Sequence, residues 1–238
     1  MKSNASPQIG FDRYIQLDWV QSALRVRAGY ETMEQLTHLI DGSHSGAAAK
    51  KKTRTVLNRL WLEPRSDLRD LCDRAIDIYR SDPSTSVATL TWGMAIATYP
   101  FFGAVAEIVG RLLRLHGECS SAEVHRRMAE IYGEREGTRR MTNMVLQSQA
   151  SWGAVERERQ GKKIIGKAGM LAMKPATETW LTEAVLRYSR RAIPLTSLPS
   201  LPVLYPFKFD EHLAYSLSHS NKLAIKVDSA SNRIVELL

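Results

Sequence analysis

Residues 117–175 read GECSSAEVHRRMAEIYGEREGTRRMTNMVLQSQASWGAVERERQGKKIIGKAGMLAMKP, and the organisation of this stretch decides the fold class. Val124, Met128 and Ile131 recur at helical spacing after Ser120 or Ser121, either of which can cap the helix. Residues 133–137 make a short polar turn. A second helix is predicted from Thr138 to about Trp152, ended by Gly153. Residues 154–159 and 164–173 then read as two short strands around a basic, glycine-containing turn. Helix, short turn, longer helix and a β-ribbon with a cationic tip is the order of a winged helix-turn-helix. The expected class is mainly α: an N-terminal helical bundle over 1–116, the winged-helix-like segment over 117–175, and over 176–238 a helix, a Pro-rich connector and a small β-hairpin.

The second helix separates into two faces. Met141, Met144, Val145, Ser148 and Trp152 occupy the packing side. Arg139, Arg140, Asn143 and Gln147 lie largely on the other, and these side chains can bond phosphates or base edges in a major groove. The same four also suit an ordinary solvated helix face. Behind them come Arg157, Arg159, Lys162, Lys163 and Lys167, with only Glu158 to oppose them. A cationic hairpin beside a recognition helix can sit on the phosphate backbone, where its contribution is electrostatic and salt-dependent; a flexible basic loop is the alternative. Lys50, Lys51, Lys52 and Arg54 form a second cationic patch, either an extension of the nucleic-acid surface or a solvated helical turn.

Outward from this segment, the first half reads as consecutive helices. Ile15, Trp19, Ala23 and Val26 mark one face; Met33, Leu36, Leu39 and Ile40 the next; Val56, Leu57, Leu60 and Trp61 a third; and Leu68, Leu71, Ala75, Ile76 and Tyr79 a fourth, which Ser66 can cap. Residues 87–106 carry no charge over the length a membrane span requires, yet they hold Thr89, Thr91, Thr98 and two glycines, and a helix start at Pro100 splits them into a pair suited to a protein interior. Ile108, Leu112 and Leu115 point inward from the helix that follows, with Arg111 and Arg114 outward. Residues 176–191 return to helix with Trp180, Ala184, Val185 and Tyr188 on one face. Pro194, Pro199, Pro202 and Pro206 predict a stiff extended connector over 192–206. Residues 209–218 read as a short helix, and 223–227 with 234–237 as a hairpin around 228–232.

Composition points the same way. Thirty-three Lys and Arg against 25 Asp and Glu give a net charge of +8, which favours an anionic partner, although a charge excess also serves solubility. Cys72 and Cys119 stand alone, without a CxxC pair or metal-ligand spacing, and read as reduced cytoplasmic thiols. Residues 1–10 are polar, unlike a secretory signal. Phosphate-binding, dinucleotide, zinc-protease and nucleophile-elbow motifs are all missing, so no catalytic role, metal or cofactor is expected.

Three patches, KKKTRTVLNRLW at 50–61, FGAVAEIVGRLLRL at 102–115 and GTRRMTNMVLQSQASWGAV at 137–155, the last followed by LAMKPATETWL at 171–181, resemble the small helical A component of BREX bacteriophage-exclusion systems. The resemblance covers about two thirds of the chain by order of elements. It implies a non-catalytic DNA-binding accessory component of phage defence, with protein partners in a defence complex, and carries over Arg139, Arg140 and the patch at Lys50, Lys51, Lys52 and Arg54 as DNA contacts. The long basic wing, the Pro-rich connector and the C-terminal hairpin depart from that family. The expectation is therefore duplex DNA binding. A homodimer spanning two half-sites is compatible with it, and a protein-interaction scaffold or an RNA-binding helical protein are the rivals.

Overall fold

The computed structural model describes residues 10–167 and 171–238. Local signals shape the first half. Helix α1 (Leu17–Ala28) buries Trp19, Val20, Ala23 and Leu24. Helix α2 (Met33–Ser43) starts at a capping box, Thr32 Oγ1 accepting from the Gln35 amide while the Gln35 side chain accepts from the Thr32 amide. Helix α3 (Ala47–Leu57) continues into a π-helical turn, Asn58–Leu62, that buries Leu60 and Trp61. Helix α4 (Arg69–Ser81) buries Leu71, Cys72, Ala75, Ile76 and Tyr79 at the expected spacing; a 3-10 turn over Ser66–Leu68 leads into it, and Ser66 does not cap it. The uncharged run forms α5 (Val87–Thr98) and α6 (Pro100–His116), bent by 116° at Tyr99. Pro100 sits at the start of α6, where its missing N–H does no harm. Every residue from Thr89 to Thr98 is buried by protein, which accounts for the absence of charge. Among the described residues no single helix is long and apolar enough to cross a membrane.

The deciding stretch folds as β1 (Glu118–Ser120), α7 (Ser121–Tyr132), α8 (Glu136–Ser151), β2 (Val155–Glu158) and β3 (Lys163–Gly166). The three strands make one antiparallel sheet in the order β1-β3-β2, with Cys119 and Arg157 both opposite Ile164. Strand β1 alternates exposed, buried, exposed with Cys119 inward, but three residues are too few to mark a strand in the sequence; pairing along β3 makes it one. Ser120 caps α7, accepting from the Glu123 amide at 3.0 Å. Three inward assignments are corrected: Met33, at the start of α2, is 51% exposed. Ile131 is 55% exposed, its place in the core taken by Tyr132, whose ring centroid lies 4.7 Å from that of Phe101. Leu115 is 66% exposed because it lies in the last turn of α6.

The strand expected over 164–173 is also shorter. It ends at Gly166, residues 168–170 lie outside the described residues, and β4 (Leu171–Ala172) belongs to another sheet. Helix α9 (Pro175–Ser189) follows, then β5 (Ile193–Pro194), 3-10 turns at Leu195–Ser200 and Pro202–Leu204, β6 (Phe207–Lys208), helix α10 (Leu213–Ser218), and the hairpin β7 (Leu223–Val227) and β8 (Arg233–Leu237). β4 pairs in parallel with β6, and β5 adds a third strand to the hairpin in the order β5-β8-β7. Asp228 closes the hairpin turn by accepting from the Ala230 and Asn232 amides.

Residues 192–206 are a compact, core-bound segment and not an extended connector. Leu198, Val203 and Leu204, set between the prolines, are buried, and Val203 O accepts from Trp92 Nε1 at 3.0 Å. Burying those apolar residues outweighs the proline preference for extended chain. Helix α9 is buried on nearly all sides, not on one face. It packs on α4 and α5, and Trp180 Nε1 donates to Leu71 O at 2.8 Å. One contiguous apolar core runs from Phe11 to Val235 and draws on all three expected segments.

Candidate nucleic-acid interface

Helix α8 is held from behind by the chain before α1. Ser148 Oγ accepts from the Ile15 amide at 2.9 Å, Ser151 Oγ accepts from the Leu17 amide at 3.0 Å, and Trp152 Nε1 donates to Ile15 O at 2.9 Å. Thr138, Thr142, Leu146 and Gln149 are buried together with Met141, Val145 and Ser148, so the packed arc is wider than the apolar spacing alone indicates. What is left outward is a narrow stripe. Arg139 and Arg140 are exposed on it, and Asn143 and Gln147 are half-buried.

The β2–β3 connection continues that stripe. Its tip, Arg159–Gly161, has three successive residues in the left-handed region, with φ of 49°, 56° and 81°. Arg159, Lys162 and Lys167 are exposed and, like Arg139 and Arg140, have no carboxylate partner among the described residues. Lys163 instead pairs with Glu118 across the sheet and is largely committed there. Arg157 is half-buried: its Nη2 donates to Asn143 Oδ1 at 2.9 Å and to Gly161 O at 3.2 Å, and burial lowers its pKa. Sequence reasoning gave Asn143 to the recognition helix and Arg157 to the neighbouring wing, each facing DNA; the fold bonds them to each other.

The Lys50 patch is different. It lies on α3, which packs on α1, α2 and the π-helical turn, and its charges are matched locally: Lys50 and Arg54 meet Asp41 at 3.4 and 3.0 Å, and Lys52 meets Asp12 at 3.2 Å. Lys51 is exposed. Surface pairs of this kind contribute little to stability, but Asp41 and Asp12 offset about half of the patch's charge and engage three of its four cations.

His125 of α7 was missed by sequence reasoning. It lies half-buried behind the stripe, its Nε2 has no hydrogen-bond partner, and burial together with Arg139 and Arg157 lowers its pKa from the ordinary 6.5. A histidine depressed in the folded state contributes stability that is complete above the unfolded pKa and is lost as pH falls through 6.5 towards the folded value. His44 is depressed in the same direction by burial, Arg13 and Lys50. Urea unfolding at about pH 7.5 and about pH 5.5 should therefore show a lower midpoint at the acid pH, and His125→Gln should remove part of that drop. An unchanged drop would place the titration at His44.

His125, Arg126, Glu130, Glu134, Arg135 and Arg139 border an open groove of about 670 Å³ between α7 and α8. Arg126 and Arg127 hold the Glu123 carboxyl down to about 2, so α7 balances its own charge and the net positive edge is that of α8 and the β2–β3 tip. Burial pushes the Cys72 thiol up to about 12 and the Cys119 thiol to about 11, values at which neither is a thiolate at neutral pH. No group of His, Cys, Asp and Glu able to hold a metal occurs among the described residues. The arrangement offers fixed cations on a helix edge and a turn, suited to binding a polyanion. The chain matches no protein-family model, no curated protein and no solved structure.

Proposed function

We propose that residues 100–167 form a winged-helix unit that binds double-stranded DNA without catalysing a reaction, α8 entering the major groove and the β2–β3 tip contacting the flanking backbone. The observation that carries this reading is topological and electrostatic together. α6, β1, α7, α8, β2 and β3 follow one another in the order of a winged helix, with the sheet in the order β1-β3-β2, and Arg139, Arg140, Arg159, Lys162 and Lys167, exposed and without carboxylate partners among the described residues, lie along α8, the tip and the end of β3. The three-residue turn between α7 and α8 has the length of a helix-turn-helix connection. Arg139, Arg140 and Gln147 are the groove-facing candidates, and Arg159, Lys162 and Lys167 the phosphate contacts. The resemblance of 50–61 and 137–155 to the BREX A component supports placing such binding in phage defence, as an accessory role beside protein partners.

Fluorescence anisotropy with a labelled mixed-sequence duplex, across a salt series, tests this. The wild type should bind with strong salt dependence, and Arg159→Ala/Lys162→Ala should lower affinity on every sequence and flatten the slope of log K against log salt by about 0.9 per lost contact. Arg140→Ala should discriminate among duplex sequences. No binding at low salt would dismiss the proposal in favour of a protein-docking role, and a preference for single-stranded RNA would redirect it.

A further inference from the structure

Arg157 is the member of the basic cluster that the geometry singles out. Its guanidinium is turned inward, bonded to a side-chain oxygen of α8 and a main-chain oxygen of the tip, and its Nε is buried with no partner. A phosphate contact has the opposite character, an exposed cationic head open to the ligand, as the Arg159 guanidinium and the Lys162 ammonium have. Gly161 O also accepts from Ser121 Oγ at the start of α7, and the Ser121 amide donates to Lys162 O at 2.9 Å, so the tip is tied to both helices. The tie has strain to hold. Arg159 and Gln160 are left-handed without being glycine, a conformation that costs about 1–2 kcal/mol per residue. Glycine is favoured at 161 by its φ of 81°, and a Cβ there would lie 2.6 Å from Arg157 Nη2 and push that guanidinium aside.

We infer that Arg157 is a positioning residue: through Asn143 Oδ1 and Gly161 O it latches the strained β2–β3 tip onto the outer face of α8 and fixes where Arg159 and Lys162 stand relative to Arg139 and Arg140. It follows that Asn143 is the latch's acceptor and not a free base-reading amide. The functional part of this inference rests on the DNA-binding proposal; the latch itself does not.

Amide hydrogen exchange on the full chain, paired with the anisotropy salt series, tests both. Asn143→Ala removes the acceptor and Arg157→Lys removes the fork that spans two oxygens; each should raise exchange at residues 159–163 at least about tenfold while the amides of the buried side of α8 keep their protection. Asn143→Asp keeps an acceptor and should keep the tip protected even though its charge weakens DNA binding. The latch variants should lose about 5- to 10-fold in affinity with the salt slope unchanged, in contrast to Arg159→Ala, which should change the slope and leave exchange alone. Arg157→Lys preserves charge, so Arg157→Gln decides the remaining case: a slope lowered by about 0.9 with the tip still protected means a direct phosphate contact and overturns the inference. Unchanged exchange in Asn143→Ala overturns it as well. If the wild type binds no duplex, the DNA-binding proposal fails while the exchange data still decide the latch.

Discussion

Glu183→Ala will destabilise the protein by about 3 kcal/mol or more, since removing one partner of a buried ion pair strands the other. Glu183 lies on α9 with its side chain 3% exposed; Arg74 of α4 and Arg187 one turn along α9 both bond its carboxylate. Its burial would be prohibitive without those two guanidiniums. Arg74 keeps Asp70 and Arg187 keeps the Asp67 carbonyl, and both arginines are about a quarter exposed, which holds the expected loss towards the lower end of the roughly 3–5 kcal/mol range. In a domain of this size that loss lowers Tm by about 10 °C. Glu211→Ala, at an exposed carboxylate, should change Tm by less than about 2 °C. Combining Glu183→Ala with Arg74→Ala should cost less than the sum of the two, since both single variants lose the same contact and the double variant leaves less charge stranded. Full additivity, or a single-variant loss below about 1 kcal/mol, would mean that the contact carries no coupling.

Gly110→Val will undock the Pro202–Leu204 turn from α6. A Cβ on Gly110 would stand 2.0 Å from Pro202 O and 2.8 Å from the Cβ of Tyr205. No rotamer change relieves a clash with a main-chain oxygen, so either α6 or the 3-10 turn must move, and Trp92 then loses its bond to Val203 O. Alanine alone should cost about 2–3 kcal/mol and valine more, read from urea midpoints, with raised hydrogen exchange over 195–204 locating the damage. Gly42→Ala in α2 meets nothing within 4 Å and should act in the opposite direction, stabilising by about 0.5–1 kcal/mol. Equal effects at the two glycines would sink the close-approach argument.

The two effects mark where sequence reasoning stopped. Glycine at 110 sits in an apolar helix with nothing beside it in sequence to explain its size; the reason, Pro202, arrives over α6 only when the chain has folded. The prolines around it read as a stiff spacer because their local preference is legible and the demand of Leu198, Val203 and Leu204 for burial is not. Arg74 lies 109 residues away in sequence from Glu183, and no local pattern couples them.

In the candidate interface the division is similar. Arg139, Arg140, Arg159, Lys162 and Lys167 are exposed where the spacing of apolar residues on α8 and the glycine-bearing turn put them. Arg157, Lys163 and the Lys50 patch looked equivalent to them by charge, yet Asn143, Glu118, Asp41 and Asp12 engage them.

By itself, then, the sequence determined the helices, their inward faces, the Pro100 break, the C-terminal hairpin and a basic helix followed by a basic turn. Periods of 3.6 and 2 are written residue by residue, and capping and turn residues act within four positions. Tertiary structure alone decided that β1 is a strand, that α9 is enclosed, that Pro202–Leu204 packs on α6, and which of the cations on α8 and the β2–β3 connection stay free. Those outcomes depend on ion pairs, open strand edges and close approaches between residues far apart in the chain, which exist only after the core has brought them together.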